Sequence, residues 1–330
     1  MNMDTFDVIM RLVHYKLIKN WTNCNKEPIT PCERLIIALR FLATGSLFTT
    51  LGFSFRMGRS TVADIVKETC KALWEVLQPI YMPTPTEQMF RSVAGEYWTK
   101  WNFPNCIGSI DGKHIRMRCP AGSGSMYYNY KGYNSTVLQA VADANSKFLM
   151  VEVGGYGKQS DGGTFSSSDM YRLLNEEKLN VPPDTQLPDK SLKTKMSFVF
   201  VGDEAYPLLR NIVRPFPRSQ LTTSIEYFNS RLSRARKCVE CAFGIMNAKW
   251  RILWKPIETS PNLADDIVKC ICILHNVIID HEGIDLQLEE AADYIYRDLE
   301  RTRLPASKIS TNAGRYVRDY FKKFMDRNKL

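Results

Sequence analysis

Cys106-Ile-Gly-Ser-Ile-Asp111-Gly-Lys-His-Ile115 decides how this chain is read. Cys106–Ile110 has strand character and closes on a single acid, Asp111, and His114–Met117 resumes the strand beyond it. Asp-Gly after a strand is also a common turn signal, so Asp111 alone is as readily an ordinary turn residue. Two further segments change that weighting. Phe198-Val-Phe-Val-Gly-Asp203-Glu-Ala-Tyr206 is a short apolar strand that again ends on an acid. Arg234-Ala-Arg-Lys-Cys-Val-Glu240-Cys-Ala-Phe-Gly244 sets a third acid inside a basic segment with helical spacing. The apolar approaches put Asp111 and Asp203 at the edge of a buried sheet, where a lone carboxylate is costly unless it serves a metal. Two carboxylates on neighbouring strand ends and a third on a packed helix can hold two Mg²⁺ or Mn²⁺ ions. Such a site activates water and stabilises the leaving oxygen in phosphodiester cleavage.

The 92 residues between the aspartates leave room for two more strands and a helix. Thr136–Ala142 and Phe148–Val153 read as a hairpin about Asp143, Ser166–Glu177 as a helix, and helices dominate from Tyr227 to Asp280. Strands, a helix, a strand and more helices describe an α/β mixed sheet covered by helices. Residues 1–82 read as all-helical. Glu33–Thr44 is a helix stopped by Gly45, Leu47–Phe55 is a short helix or turn, and Ser60 is placed to cap a helix carrying Val62, Ile65, Val66, Leu73, Trp74 and Leu77. That order suits a helix-turn-helix whose second helix would offer Thr61, Asp64 and Lys67 to DNA, although many helical packing modules share it. Met82-Pro-Thr-Pro-Thr-Glu87 reads as a linker. The expected division is 1–82 helical, 83–285 catalytic, and 286–330 a basic tail.

The net charge of +9 is concentrated. Residues 210–255 hold ten Lys/Arg against two acids, and 301–330 hold nine against two, so the rest of the chain is net acidic. A basic stretch around Glu240 suits a phosphate backbone, with Arg234, Arg236 and Lys237 as the expected contacts. The tail is as readily a solvated face. No apolar run approaches the ~20 residues that span a bilayer, so no membrane is expected. The start lacks a secretory pattern, and nine cysteines without a framework spacing point to the cytosol or nucleus.

Rival features are weaker. Cys238, Cys241, Cys270, Cys272 and His275 could supply four zinc ligands, but the thiols fall among apolar helix positions and read as core, so zinc is not expected. Asp143 reads as a hairpin-turn residue, Glu204 as pointing away from Asp203, and Asp161 as a residue near the site. Gly154-Gly-Tyr-Gly-Lys158 lacks the spacing of a phosphate-binding loop. Met126-Tyr-Tyr-Asn-Tyr-Lys-Gly-Tyr133 reads as packing before base stacking.

Several stretches together carry a resemblance: Ser109-Ile-Asp-Gly-Lys-His114, Tyr130-Lys-Gly-Tyr133, Val201-Gly-Asp-Glu-Ala-Tyr-Pro207, Leu232-Ser-Arg-Ala-Arg236, Val239-Glu-Cys-Ala-Phe-Gly-Ile245, Trp250-Arg-Ile-Leu253 and Leu274-His-Asn276. In this order the chain resembles the PIF/Harbinger transposases and the domesticated nucleases derived from them. The resemblance implies an RNase H-like domain behind a helix-turn-helix, with the acidic triad on Asp111, Asp203 and Glu240. It also implies a nuclear role and a separate Myb-like DNA-binding protein as partner, with self-association left open. Ser160 and Cys241 stand where the family often has His and Asn. The rival to a DNA endonuclease is a catalytically silent DNA- or chromatin-binding adaptor. An RNA-directed nuclease is a weaker third reading.

Overall fold

The computed structural model describes residues 1–19, 27–188, 193–220, 222–284 and 306–329. Five helices lead: α1 (Met3–Leu17), α2 (Pro31–Thr44), α3 (Phe48–Phe55), α4 (Arg59–Tyr81) and α5 (Glu87–Trp101). Then come β1 (Cys106–Arg116), β2 (Ser135–Ala142), β3 (Phe148–Tyr156), and short helices α6 (Asp161–Ser166) and α7 (Asp169–Asn175). A two-stranded β4–β5 (Thr185–Gln186, Lys195–Met196) precedes β6 (Val199–Val201) and β7 (Ile212–Val213). Helices α8 (Thr223–Lys249), α9 (Pro261–Glu282) and α10 (Asn312–Arg327) follow. The main sheet runs β3-β2-β1-β6-β7, antiparallel through β3, β2 and β1 and parallel from β1 through β6 to β7. The protein is therefore a mixed sheet covered by helices, as its strand and helix signals imply.

The helix stops follow local chemistry. Thr30 and Glu33 form a capping box at the start of α2, and Gly45 ends it with φ 61°. A side chain at Gly45 would also come within 3.0 Å of the Ile252 backbone, so both conformation and space demand glycine there. At α4 the expectation fails by two residues. Gly58, extended at φ −65° and ψ 149°, is the N-cap and supplies no side chain, while Ser60 lies inside the helix. The helix expected over 166–177 is broken: Ser168 leaves helical geometry, and its hydroxyl caps α7 by accepting from the Tyr171 N–H.

The proline-rich stretch at 82–86 does separate α4 from α5, yet α1, α2 and α4 share one core with α8, α9 and β2. Residues grouped by charge as a basic tail include α10, whose Val317, Phe321, Phe324 and Met325 pack with Phe103, Phe216 and Phe228. Phe321 stacks on Phe103 at 5.7 Å between ring centres. The part of that stretch over 286–305 lies outside the described residues. Among the described residues, no helix is long and apolar enough to cross a membrane.

The Leu274-His-Asn276 stretch is a clamp. Fully buried Asn276 donates to the Tyr81 carbonyl at 2.9 Å and the Phe148 carbonyl at 2.7 Å, and accepts from the Phe148 N–H at 2.8 Å. It thereby joins the end of α4, the start of β3 and the middle of α9. His275 lies 2.8 Å from the Ser146 carbonyl and packs on Phe148, and burial pushes its pKa down to about 4. The hairpin turn itself is closed by Asp143, whose carboxylate accepts from the Asn145 and Lys147 N–H groups.

Asn276→Ala strands two buried carbonyls and one N–H, and is expected to destabilise the protein by about 3 kcal/mol. The measurement is urea unfolding, with a lower midpoint and an unchanged slope. A midpoint equal to wild type would remove the clamp from the stability of the fold.

Candidate functional site

The register of the sheet sets the two aspartates side by side. Ser109 on β1 pairs with Val201 on β6 in parallel. Two residues further along each chain come Asp111 and Asp203, at equivalent positions of strands about 4.8 Å apart. Side chains alternate along a strand, so Ser109, Asp111 and Lys113 share a face. Asp111 is 5% exposed, and its carboxylate accepts the Gly112 N–H at 2.9 Å. Asp203 is half-buried, just past β6, and its Oδ1 accepts the Ala205 N–H at 2.9 Å in a tight turn.

Helix α8 crosses that same face. The Ser109 hydroxyl accepts the Val239 N–H at 3.1 Å, and the Lys113 ammonium lies 5.7 Å from the centre of the Phe243 ring. Asp111 lies between Ser109 and Lys113 on the strand, and Glu240 lies between Val239 and Phe243 on the helix. The two acids are thus held within one bracket. Glu240 is drawn to its own helix: Arg236, one turn earlier, holds its Oε1 at 3.1 Å, and both side chains are largely buried.

For a divalent cation the donor chemistry is suitable, because hard ions take carboxylate oxygens and the paired strand ends supply two. Among the described residues, no three His, Cys, Asp or Glu side chains stand together as a closed ion cage. The arrangement is two aspartates presented together, with the third carboxylate adjacent and engaged by Arg236. The candidate zinc cysteines take other partners. Cys238 lies in the core against α5, Cys272 lies 4.0 Å from the Met246 sulfur, and burial pushes both thiols up.

Two lysines near the acids were not singled out by the sequence. Lys113 is half-buried, and its pKa is pushed down to about 8 by desolvation and by nearby Lys131, with Asp111 opposing. Lys131 sits in a loop braced by Asn129, whose side chain accepts from the Lys131 and Tyr133 N–H groups and donates to the Ser135 hydroxyl. Ser135 also pairs with His114 at 2.9 Å. Tyr130 meets the His114 ring edge-on at 5.4 Å, and Arg116 lies over Tyr133 at 4.3 Å. The Ser109–His114 and Tyr130–Tyr133 stretches, apart in sequence, therefore make one rim. Tyr128 and Tyr130 are exposed there, not packed as expected. The signal that could have found this rim is the spacing of Lys113 two residues after Asp111.

The remaining expected contacts fall as follows. Arg234 and Lys67 are exposed, Thr61 is half-buried, and Lys237 is half-buried near Glu240 in sequence. Arg236 is a counter-ion to Glu240. Glu204 contributes its backbone, whose carbonyl accepts from Arg214 at 3.1 Å and from the Ser307 N–H at 2.8 Å. Asp161 opens α6, whose Gly162 lies so close to the Ala205 carbonyl that a Cβ would approach to 2.3 Å. That places α6 against the Asp203 turn; the Asp161 side chain lies outside the described residues.

A family model described as "DDE superfamily endonuclease" matches residues 110–276. The protein ALP1-like of Arabidopsis thaliana is 30% identical, over 96% of this chain and 77% of that protein. Antagonist of Like Heterochromatin Protein 1, from the same plant, is 29% identical over 92% of this chain and 79% of its own length. HARBI1 of Mus musculus, named as a candidate nuclease, is 25% identical over 78% and 70%. No solved structure matches the chain significantly.

Lys113 supplies a test of the site's electrostatics. Its cation is disfavoured in the fold, so the penalty is full below pH 8 and is relieved as pH rises from about 8 toward 10.5, where the unfolded chain holds the extra proton. Lys113→Met, in chelator, is therefore expected to be more stable than wild type at pH 7 by on the order of 1–3 kcal/mol. That advantage should shrink by pH 10. A pH-independent difference would mean Lys113 carries an ordinary surface charge.

Proposed function

The chain belongs to the DDE superfamily endonucleases, and on that footing we propose that it is a metal-dependent DNA endonuclease or transposase of the PIF/Harbinger type. The observation that carries this reading is the placement of Asp111 and Asp203 at matched ends of adjacent strands, under the helix that bears Glu240. The sheet, antiparallel through three strands and then parallel, suits the RNase H-like architecture of that reading. Asp111, Asp203 and Glu240 would hold two Mg²⁺ or Mn²⁺ ions, which supply water activation and stabilisation of the leaving oxygen.

The chain's own residues do the rest. Asp111 and Asp203 concentrate negative charge at one sheet edge. Arg236 holds the Glu240 carboxylate beside that edge and releases it when a stronger cation competes. Lys113 and Lys131 approach from the rim and neutralise the phosphate, with Arg234 and Lys237 steering the backbone along α8. Exposed Tyr128 and Tyr130 offer faces on which unpaired bases stack. Helices α3 and α4 would act as a helix-turn-helix, with Thr61 and Lys67 toward the groove. A nuclear location and a Myb-like DNA-binding partner belong to the same reading, with self-association as a further element.

A second reading is favoured by a specific observation. Glu240 is neutralised within its own helix, and one relative's name places it as an antagonist of a heterochromatin protein. A chain that keeps this fold and binds DNA or chromatin without cutting would have the same surface.

The experiment compares wild type with Asp111→Ala, Asp203→Ala and Glu240→Ala on terminal-repeat DNA, with Mn²⁺ or chelator and with the DNA-binding partner supplied. Metal-dependent nicking is expected from wild type, and each substitution is expected to reduce it by about a thousandfold or more. DNA affinity should survive in all three. Equal inertness of wild type and Glu240→Ala, with DNA binding intact, would establish the adaptor reading instead.

A further inference from the structure

A second site lies on the opposite face of the sheet from Asp111. In β2, Gln139 pairs with Gly112 on one side and Glu152 on the other, one residue out of step with the Asp111–Ala140 pair. Its side chain therefore points away from the acidic face. Gln139 is 4% exposed, yet neither its amide nitrogen nor its amide oxygen has a hydrogen-bond partner. A buried amide with both poles unmet is costly and uncommon, and such a group marks a place that something else completes.

Gln139 lines a cavity of about 220 Å³ between β2, β3, α4, α7 and the proline-rich stretch after α4. Trp74, Met82, Met150 and Leu173 form much of its apolar wall. An apolar cavity of roughly 150 Å³ accepts benzene, so this one has room for one or two fused rings. Glu152 and Asp169 are among its lining residues, and their carboxylates disfavour any anion, a nucleotide phosphate included. The face is also wrong for substrate DNA held at Asp111.

The geometry points to a binding site for an uncharged, flat, largely apolar small molecule whose edge carries a hydrogen-bond donor beside an acceptor, matched to the Gln139 amide. A primary amide can satisfy both poles at once against a lactam-like edge, as glutamine does against the edge of a purine. The walls supply apolar burial and the amide sets orientation, which is the usual division of labour in a ligand pocket.

The probes are the bicyclic lactam carbostyril, which has adjacent N–H and C=O groups, and N-methylcarbostyril, which lacks the donor. Ligand-observed NMR titration of the full chain should give saturable binding of carbostyril, with the N-methyl compound weaker by about tenfold or more. Gln139→Leu keeps the shape and removes the amide, so it should bring carbostyril down to the N-methyl level. It should also raise the melting temperature of the ligand-free protein. Leu173→Trp fills the cavity and should remove binding of both probes. No saturable binding of carbostyril to wild type would overturn the proposal, leaving water as the partner of the amide. So would equal affinity for both probes, since the cavity would then be merely apolar. If Gln139→Leu does not fold, the two probes on wild type and the Leu173→Trp chain still decide.

Discussion

Everything about the acidic site depends on what the hydroxyl of Ser109 holds. It receives the Val239 N–H from α8 at 3.1 Å and stands 3.0 Å from the Tyr97 hydroxyl of α5. Tyr97 reaches across to the Ala142 carbonyl of β2 as well. One buried side chain thus pins two helices and two strands at a single level of the sheet. Two residues along β1 lies Asp111, and one residue along α8 lies Glu240. The relative positions of those acids are set by this polar knot in an otherwise apolar layer. Satisfied buried networks fix a unique geometry in a way that apolar packing alone does not.

Around that knot the charges are arranged in two tiers. Close to the acids, Arg236 and Lys113 are desolvated cations, one paired to Glu240 and one pushed down in pKa. Further out, Arg234 and Lys67 are exposed and solvated. The inner tier responds to an incoming cation or phosphate, because buried charges interact strongly. The outer tier steers from a distance and is screened by salt. A site of this kind rests in a neutralised state in which Arg236 occupies the Glu240 carboxylate, and a nuclease and an adaptor would differ only in whether that pairing gives way.

Much of this was legible. The strand ends carrying Asp111 and Asp203 were read from short apolar runs, and the Gly45 stop and the Asp143 turn from local backbone chemistry, because these signals span only a few residues. The α4 cap was misplaced because Ser60 is a good cap by type, whereas the chain is extended at Gly58. Helix α10 was hidden by its charge: nine basic residues over 301–330 obscured an apolar stripe at Val317, Phe321, Phe324 and Met325. Lys131 and Gln139 could not be found from sequence. What sets them apart is proximity to residues far along the chain, and the lack of any partner for a buried amide is a property of packing. The linker was seen, but not that α4 returns to α9 across it.

The segment before α10 closes on the Asp203 turn. The Ser307 N–H donates to the Glu204 carbonyl, Arg214 bridges the Glu204, Tyr206 and Ser307 carbonyls, and Leu208 exchanges backbone bonds with Ile309 and Thr311. Asp203 thus sits on a turn whose far wall is built from residues synthesised about a hundred positions later. Proteins fold from the N-terminus as they leave the ribosome. The sheet and its first acid can assemble early, but the second acid gains its final support only once the last helix has emerged. A nascent chain of this protein would therefore carry a folded sheet and an unfinished cutting edge, which spares the RNA and DNA near its place of synthesis.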